Sequence, residues 1–323
     1  MIKLDIKDRK ILYELDSDSR QSANQIGRKA GLSRSVVNYR ISRLKEQEII
    51  RNYYTLIDPM SLGFIPIRIH IKFQYTTSEI VNDIIEYFRK NKFSTLVGLA
   101  DGFFNLSVVI EVKDIHDFYD SWQDAKKKFG YYFGHYTFSF FVNEMRFKSS
   151  FLLLNNIKKS DRDRYTFIGK RKISDIDQLD MNIIYSIASN ATIPLIDIGK
   201  RLDLTSVAIK YRIKKLIEKG VILGFKADID LSKIGYQKFK VYLKLRDYNI
   251  RSKIINYIKF NQYLLNIDTN SGESDIELEF VVVSNNQIHE IVNDLIDKFP
   301  NEIKNYDLVS NIKLYKYVYF PEH

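Results

Sequence analysis

The feature that most constrains this chain is that its opening segment occurs twice. Displaced by 172 positions, Leu4 to Phe64 align without a gap to Ile176 to Tyr236. Identities fall at Asp5/Asp177, Asp8/Asp180, Ile11/Ile183, Gly27/Gly199, Tyr39/Tyr211, Arg40/Arg212, Ile41/Ile213, Leu44/Leu216, Asp58/Asp230 and Gly63/Gly235. Self-similarity over so long a period means that one structural unit is built twice. Between the copies lies KKSDRDRYTFIGKRK, residues 158–172, where seven Lys/Arg face two Asp with almost no apolar periodicity. That composition predicts a basic linker. Each copy divides again, so the expected organisation is 1–57 and 64–150, the linker, then 173–229 and 236–323.

The first part of each copy has helical spacing. Asp8, Ile11, Leu12 and Leu15 mark one helix, and Ile26 and Ala30 mark a second that stops at Gly31, a residue suited to a left-handed turn. Ser33 is a good N-cap for a third helix with the stripe Val37, Ile41 and Leu44. That helix ends before the β-rich run Ile49 to Ile57. Two helices joined by a glycine-containing turn form a helix-turn-helix, whose second helix enters the major groove of DNA. In the second copy Pro194 stands at a helix start, Asp203 replaces the turn glycine, and Thr205 takes the cap. There Val207 or Ala208, Ile209, Ile213 and Leu216 supply the stripe. Aspartate tolerates the left-handed region better than most residues, so the turn is expected to persist.

The second part alternates between strand and helix periods. Ile65 to Tyr75 places Ile65, Ile67, Ile69, Ile71 and Phe73 on one side and Arg68, His70 and Lys72 on the other, the pattern of a half-buried strand. A helix from Ser78 to Lys90, two strands around Asp101-Gly102, a helix from Ile115 to Phe129 and a strand from Tyr136 to Val142 complete a β-α-β-β-α-β order. The same order returns later, with helices over Ile250 to Phe260 and Gln287 to Phe299 and a last strand around Lys313 to Phe320. The expected fold class is α+β: a winged helix-turn-helix plus a ferredoxin-like sandwich, the whole unit duplicated. One sheet face in each copy is left bare, and the other copy can cover it.

Composition narrows the chemistry. No cysteine is present, which excludes disulfides, thiol nucleophiles and cysteine-ligated metals, and the five histidines show no metal-ligand spacing. No metal and no cofactor are expected. No run approaches the ~20 apolar residues of a membrane span, and the amino terminus lacks a signal-peptide run, so a soluble, cytoplasmic protein is expected. The net charge of +10 favours a polyanionic partner.

These motifs resemble the Lrp/AsnC, or feast/famine, transcription regulators. Leu4-Asp5, Asp8-Arg9, Ile11-Leu12, Leu15, Arg20, GLSRSVVNYRISRL from Gly31 to Leu44, Ile49-Ile50, Ile57-Asp58-Pro59 and Leu62-Gly63 sit where that family's pattern places them. Members of the family usually carry one copy and pair through their sensing sheets, whereas this chain carries two. The resemblance implies a non-enzymatic regulator that binds double-stranded DNA, responds to an amino-acid effector and works as an intramolecular pseudo-dimer, with dimers or higher assemblies of whole chains open. In the first recognition helix the core stripe leaves Arg34, Ser35, Asn38, Tyr39, Ser42 and Arg43 towards DNA; in the second it leaves Ser206, Lys210, Tyr211, Lys214 and Lys215. Arginine and asparagine suit base edges, and lysine suits phosphate. Arg40 and Arg212 lie beside the stripe, where a phosphate contact and an intramolecular salt bridge are both open. The family's Gly-x-x-Asp turn survives as Gly272, Glu273, Ser274, Asp275, whereas the first copy reads Gly102, Phe103, Phe104, Asn105. An effector site at Gly272, Ser274 and Asp275, and unequal sensing between the copies, follow as expectations. Two other classes compete: a sirohaem decarboxylase-like enzyme on the same architecture, and a DNA-architectural protein of low sequence preference.

Overall fold

The computed structural model describes residues 2–153, 162, 165–169 and 172–320. Its elements run α1 (Ile6–Ser17), α2 (Ala23–Ala30), α3 (Arg34–Glu46), β1 (Ile50–Ile57), β2 (Ile65–Phe73), α4 (Ser78–Lys90), β3 (Ser94–Asp101), β4 (Leu106–Val112), α5 (Ile115–Phe129), β5 (Phe133–Arg146) and β6 (Thr166–Ile168). The second copy continues with α6 (Gln178–Ala188), α7 (Leu195–Leu202), α8 (Ser206–Glu218), β7 (Ile222–Ile229), β8 (Gln237–Leu245), α9 (Arg251–Ile258), β9 (Leu264–Ser271), β10 (Ile276–Val282), α10 (Asn285–Lys298) and β11 (Ile303–Tyr317).

Local chemistry accounts for the helix ends. Asp5 caps α1 by accepting from the Asp8 N–H, and Ser22 and Gln25 form a reciprocal capping box on α2. Gly31 closes α2 at φ 68° and Asp203 closes α7 at φ 53°, so the aspartate does adopt the left-handed turn of its glycine counterpart. Ser33 and Thr205 cap the two recognition helices by accepting from Val36 and Ala208 N–H. In α8 it is Ile209, Ile213 and Leu216 that are buried, while Val207 faces solvent.

The two three-helix units share one apolar core. Ile11, Leu12, Leu15, Ile26, Val37 and Leu44 of the first merge with Ile183, Ile184, Ile187, Ile198, Ile209 and Leu216 of the second, closed by Phe151, Leu152 and Phe320. An antiparallel ribbon ties them: β1 pairs with β7, with Tyr53 opposite Ala227 and Thr55 opposite Phe225. Ser19 N–H donates to Phe225 O at 2.8 Å and Ala191 N–H to Tyr53 O at 2.9 Å, so each unit packs on the other copy's strand.

The two ferredoxin-like sheets, β3-β4-β2-β5 and β9-β10-β8-β11, do more than cover one another's bare faces. They are joined by backbone hydrogen bonds at both edges, β5 to β9 and β3 to β11, closing a ring of eight strands. The long strands make the joints. β5 pairs with β2 up to Phe140 and from there with β9, and β11 pairs with β8 up to Ser310 and from there with β3. The sequence pattern predicts only Tyr136 to Val142 of β5, and its last strand around Lys313 to Phe320 overlaps β11 only up to Tyr317. Helices α4 and α5 lie outside the ring on Ile67, Ile69, Ile71 and Val108; α9 and α10 lie on Val241, Leu243, Leu278 and Phe280.

Two further expectations change. β2 is not half-buried: Ile67, Ile69 and Ile71 face the helices, and His70 on the opposite side is buried as well because the second sheet covers it. The basic segment 158–172 is more than a solvated tether. Thr166–Ile168 adds a strand beside Glu144–Arg146 of β5, and Arg162 is buried, donating to the Lys259, Lys148 and Leu264 carbonyls while lying over the Phe147 ring. Its other residues, apart from Tyr165, Gly169 and Lys172, lie outside the described residues.

Candidate nucleic-acid interface

The outer face of α3 presents Arg34, Ser35, Asn38, Tyr39 and Ser42 to solvent. Spacings of three and four residues put Ser35, Asn38, Tyr39 and Ser42 on one stripe. Arg43 differs. It is half-buried, and its Nη2 donates to both Asp8 oxygens at 2.7 and 2.6 Å. On α8 the matching face carries Val207, Lys210, Tyr211, Lys214 and Lys215, all exposed, with Ser206 half-buried at its start. Lys215 Nζ lies 5.0 Å from the Tyr211 ring centroid, and Lys214 reaches Glu218 at 3.6 Å.

The two arginines left open by the sequence take the salt-bridge role. Arg40 Nη1 holds Asp5 at 2.7 Å and Asp8 at 2.8 Å, and Arg212 Nη1 holds Asp177 and Asp180, each at 2.8 Å. Each pins a recognition helix to the start of the first helix of its unit. Burial pushes the Asp5 carboxyl up, but the Asp8 N–H and the Arg40 guanidinium outweigh it and hold that carboxyl below its ordinary value.

At the sensing-domain turns, Asp275 N–H donates to Leu243 O at 2.8 Å, and Asp275 Oδ2 accepts from Leu245 N–H at 2.7 Å. Asn105 makes the same pair of contacts, from its N–H to Ile71 O at 2.8 Å and from Phe73 N–H to its Oδ1 at 3.0 Å. Both side chains therefore pin the turn to the neighbouring strand. Ser274 is buried and donates to Glu277 at 3.0 Å, and Gly272 is exposed, where a Cβ would come within 2.8 Å of Ser139. In the first copy Phe104 stacks on His70 with ring centroids 3.9 Å apart, and Phe103 meets both edge-on, so aromatic packing occupies that turn.

A charged cluster inside the ring was not anticipated. Arg68 reaches from the first sheet across the interior to Asp268 at 3.2 Å and to Glu277. Lys240 meets the same two carboxylates at 2.6 and 2.8 Å. Burial disfavours every charge here, yet Lys240 and Arg68 hold the Glu277 carboxyl far below the ordinary range, and the carboxylates push both cations up. His70, buried beside Arg68, is pushed down to about 3 and stays neutral. The pocket between the sheets, lined by His70, Phe103, Ser139, Tyr242, Ser274 and Glu277, has a volume of only about 20 Å³, room for roughly one water. The signal in the sequence was the charge at alternate positions of three strands, which reads equally well as a solvated face.

A winged helix-turn-helix DNA-binding family model matches residues 4–51 and 176–222, one match in each copy. An uncharacterised HTH-type transcriptional regulator of Pyrococcus abyssi is 40% identical over 63 residues, which cover 20% of this chain and 41% of that protein. The HTH-type transcriptional regulator LrpB of Bacillus subtilis is 25% identical over 138 residues, 43% of this chain and 89% of that protein. The chain thus carries a winged helix-turn-helix DNA-binding segment twice and is similar, there and in part beyond, to transcriptional regulators of the Lrp type. The LrpB match spans most of that protein, while the Pyrococcus match spans less than half of its relative. Among solved structures, the siroheme decarboxylase NirDL superposes with a TM-score of 0.65 over 98% of this chain and 94% of its own, at 12% identity. This neighbour corrects the expectation that the chain is no enzyme. The tandem architecture is also that of an enzyme, and neither exposed recognition-helix residues nor missing cysteines bear on what a sensing module can bind or convert.

Proposed function

We propose that the protein is a sequence-specific DNA-binding transcription regulator, acting as an intramolecular pseudo-dimer and modulated by a small molecule such as an amino acid. One observation carries the reading: two capped recognition helices, each with an exposed stripe, are held together by a shared core and the β1–β7 ribbon. The net charge of +10 suits a phosphate backbone. The relatives' names as transcriptional regulators support the same conclusion. Because the stripes differ, the two half-sites are unlike, and they lie about 10 bp or a multiple apart so that both helices meet one side of the duplex.

Selection of duplexes from a random library, followed by footprinting, tests this. Arg34→Ala or Asn38→Ala relaxes sequence preference, whereas Lys210→Ala or Lys214→Ala weakens all sequences alike and lowers the salt slope by about one. Failure to enrich any sequence, or enrichment of a perfect inverted repeat, overturns the reading. Light scattering at dilution checks the pseudo-dimer: a species of two chains with exchanged sheets refutes it. Effector binding involves Gly272, Ser274 and Asp275, whose Oδ2 is held by Leu245, so the other carboxylate oxygen is the one to meet an ammonium group.

A second reading, decarboxylation of a carboxylated tetrapyrrole, rests on the full-length fold shared with NirDL. The pocket between the sheets is too small for a macrocycle. A cavity of about 540 Å³ beside Arg162, lined also by Phe260, Tyr263, Gln287 and Glu290, is of ligand size. Titration with sirohaem, followed by absorbance and by mass of the pigment, decides: no spectral shift and no loss of carboxylate dismiss this reading.

A further inference from the structure

The exposed stripes of the two recognition helices can be compared position by position. Ser35, Asn38, Tyr39 and Ser42 of α3 correspond to Val207, Lys210, Tyr211 and Lys214 of α8. The tyrosine is kept. A hydroxyl becomes a valine, and an amide and a second hydroxyl become lysines. Val207 is 77% exposed, the most exposed large hydrophobic side chain among the described residues. Nothing in the fold requires it there. A β-branched residue on a solvated helix face gives up rotamer freedom and gains no burial, so almost any straight polar side chain would make a better helix. A position that breaks a local rule without a packing gain marks function more often than folding.

We propose that Val207 reads the C5-methyl group of a thymine, so that the second half-site is specified by an apolar contact where the first relies on hydrogen bonds from Asn38. This rests on the DNA-binding reading above. The methyl of thymine is the apolar group that a base pair offers in the major groove, and a valine, with neither donor nor acceptor, can recognise little else there. Val207 is the second residue of α8, and residues near the start of a recognition helix are the ones that meet base edges. Lys210 and Lys214, one and two turns further along the same stripe, are placed to hold phosphates on either side. Their presence also selects the occupant. An aliphatic side chain flanked by lysines is a poor fit to a protein interface, whose buried centre is depleted of charge, and a good fit to a polyanion that displays isolated methyl groups.

The test uses the full chain and a duplex enriched from a random library, with each thymine of both half-sites replaced in turn by deoxyuridine, which removes only the methyl. Affinity is read by fluorescence anisotropy. At one or two positions in the half-site of the second copy, uracil weakens binding about four-fold, the value of one buried methyl at ~0.8 kcal/mol. Val207→Ser, a change on an exposed face, brings the thymine-to-uracil ratio at those positions to one. Ser35→Val creates a new uracil penalty in the other half-site. Tight binding that is indifferent to uracil throughout, or a penalty that persists in Val207→Ser, overturns the assignment while leaving the regulator reading in place. A library from which no duplex is enriched overturns both.

Discussion

The buried charges inside the ring make the sharpest energetic expectation. Arg68, Lys240, Asp268 and Glu277 together are neutral, and their side chains are between 2% and 15% exposed. At 3.2 Å the Arg68–Asp268 attraction is roughly 5 kcal/mol for an effective dielectric of 20, before desolvation and repulsion from Lys240 are set against it. Arg68→Met therefore leaves two carboxylates facing one lysine in a buried site. Removal of one member of such a cluster destabilises by about 3–5 kcal/mol. Glu277→Gln leaves the opposite excess and has a similar effect. The double variant is different: Lys240 and Asp268 remain as a neutral pair at 2.6 Å, so its loss is smaller than the sum of the two by about 2–3 kcal/mol. Urea unfolding of the four proteins at pH 7, followed by far-ultraviolet circular dichroism with matched m-values, gives the coupling directly. Additive losses would mean that Arg68 and Glu277 do not sense each other across the ring, and the account of the inter-sheet contact would fail.

Burial pushes the Glu111 carboxyl up to about 7. A group raised in this way is released later in the folded than in the unfolded chain, so stability falls as pH rises from about 4.5 to 7 and levels off above; Glu111→Gln removes about 1–3 kcal/mol of that slope, seen in thermal midpoints measured across the range. Arg162→Leu removes the guanidinium's bonds to the Lys148, Lys259 and Leu264 carbonyls and lowers the unfolding free energy by about 2–4 kcal/mol, whereas a merely solvated linker arginine would show no change in the same urea titration. Ser33→Ala and Thr205→Ala each remove an N-cap and lower stability by about 1 kcal/mol, measured by denaturant midpoint. Asp275→Asn keeps the bond from Leu245 N–H, as Asn105 does for Phe73, so its stability stays within about 0.5 kcal/mol of the native chain; any loss of amino-acid binding in calorimetry then reports the ligand alone.

Helices and turns were legible because their determinants are local. Ser33 and Thr205 announce caps, Gly31 and Asp203 announce left-handed turns, and the stripe Val37, Ile41, Leu44 points inward at the spacing of a helix. What was missed depends on partners far away in sequence. The duplication says that a second sheet can cover the first, but nothing near Arg68 or His70 says which carboxylates it brings over them. The joint halves of β5 and β11 lose the clean two-residue period because burial changes along the strand as it passes from one sheet to the other. Arg162 sits in a run of charges, and only the carbonyls of Lys259 and Leu264, distant in the chain, reveal its buried place. On the recognition helices, subtracting the core stripe predicts Asn38, Lys210 and Tyr211 to be exposed, as they are. The same subtraction left Val207 and Ala208 as alternatives for the first stripe position, and geometry places Val207 outside.

Closure of the ring also fixes an order of events during synthesis. Strands β3 and β5 leave the ribosome with their outer edges bare, and each waits for a partner from the second copy: β5 for β9, and β3 for β11. Until then the first sheet has two open edges, the kind of surface that recruits other strands, and Arg68 lacks both of its carboxylates. Pairing of Asp101 with Ser310 is among the most sequence-distant contacts in the chain, so its loop-closure entropy makes it slow. A nascent chain halted between the copies is thus an unfinished half whose best available partner is another such half, the misassembly typical of repeated modules. Translation speed across the second sensing module thereby governs how long that exposure lasts.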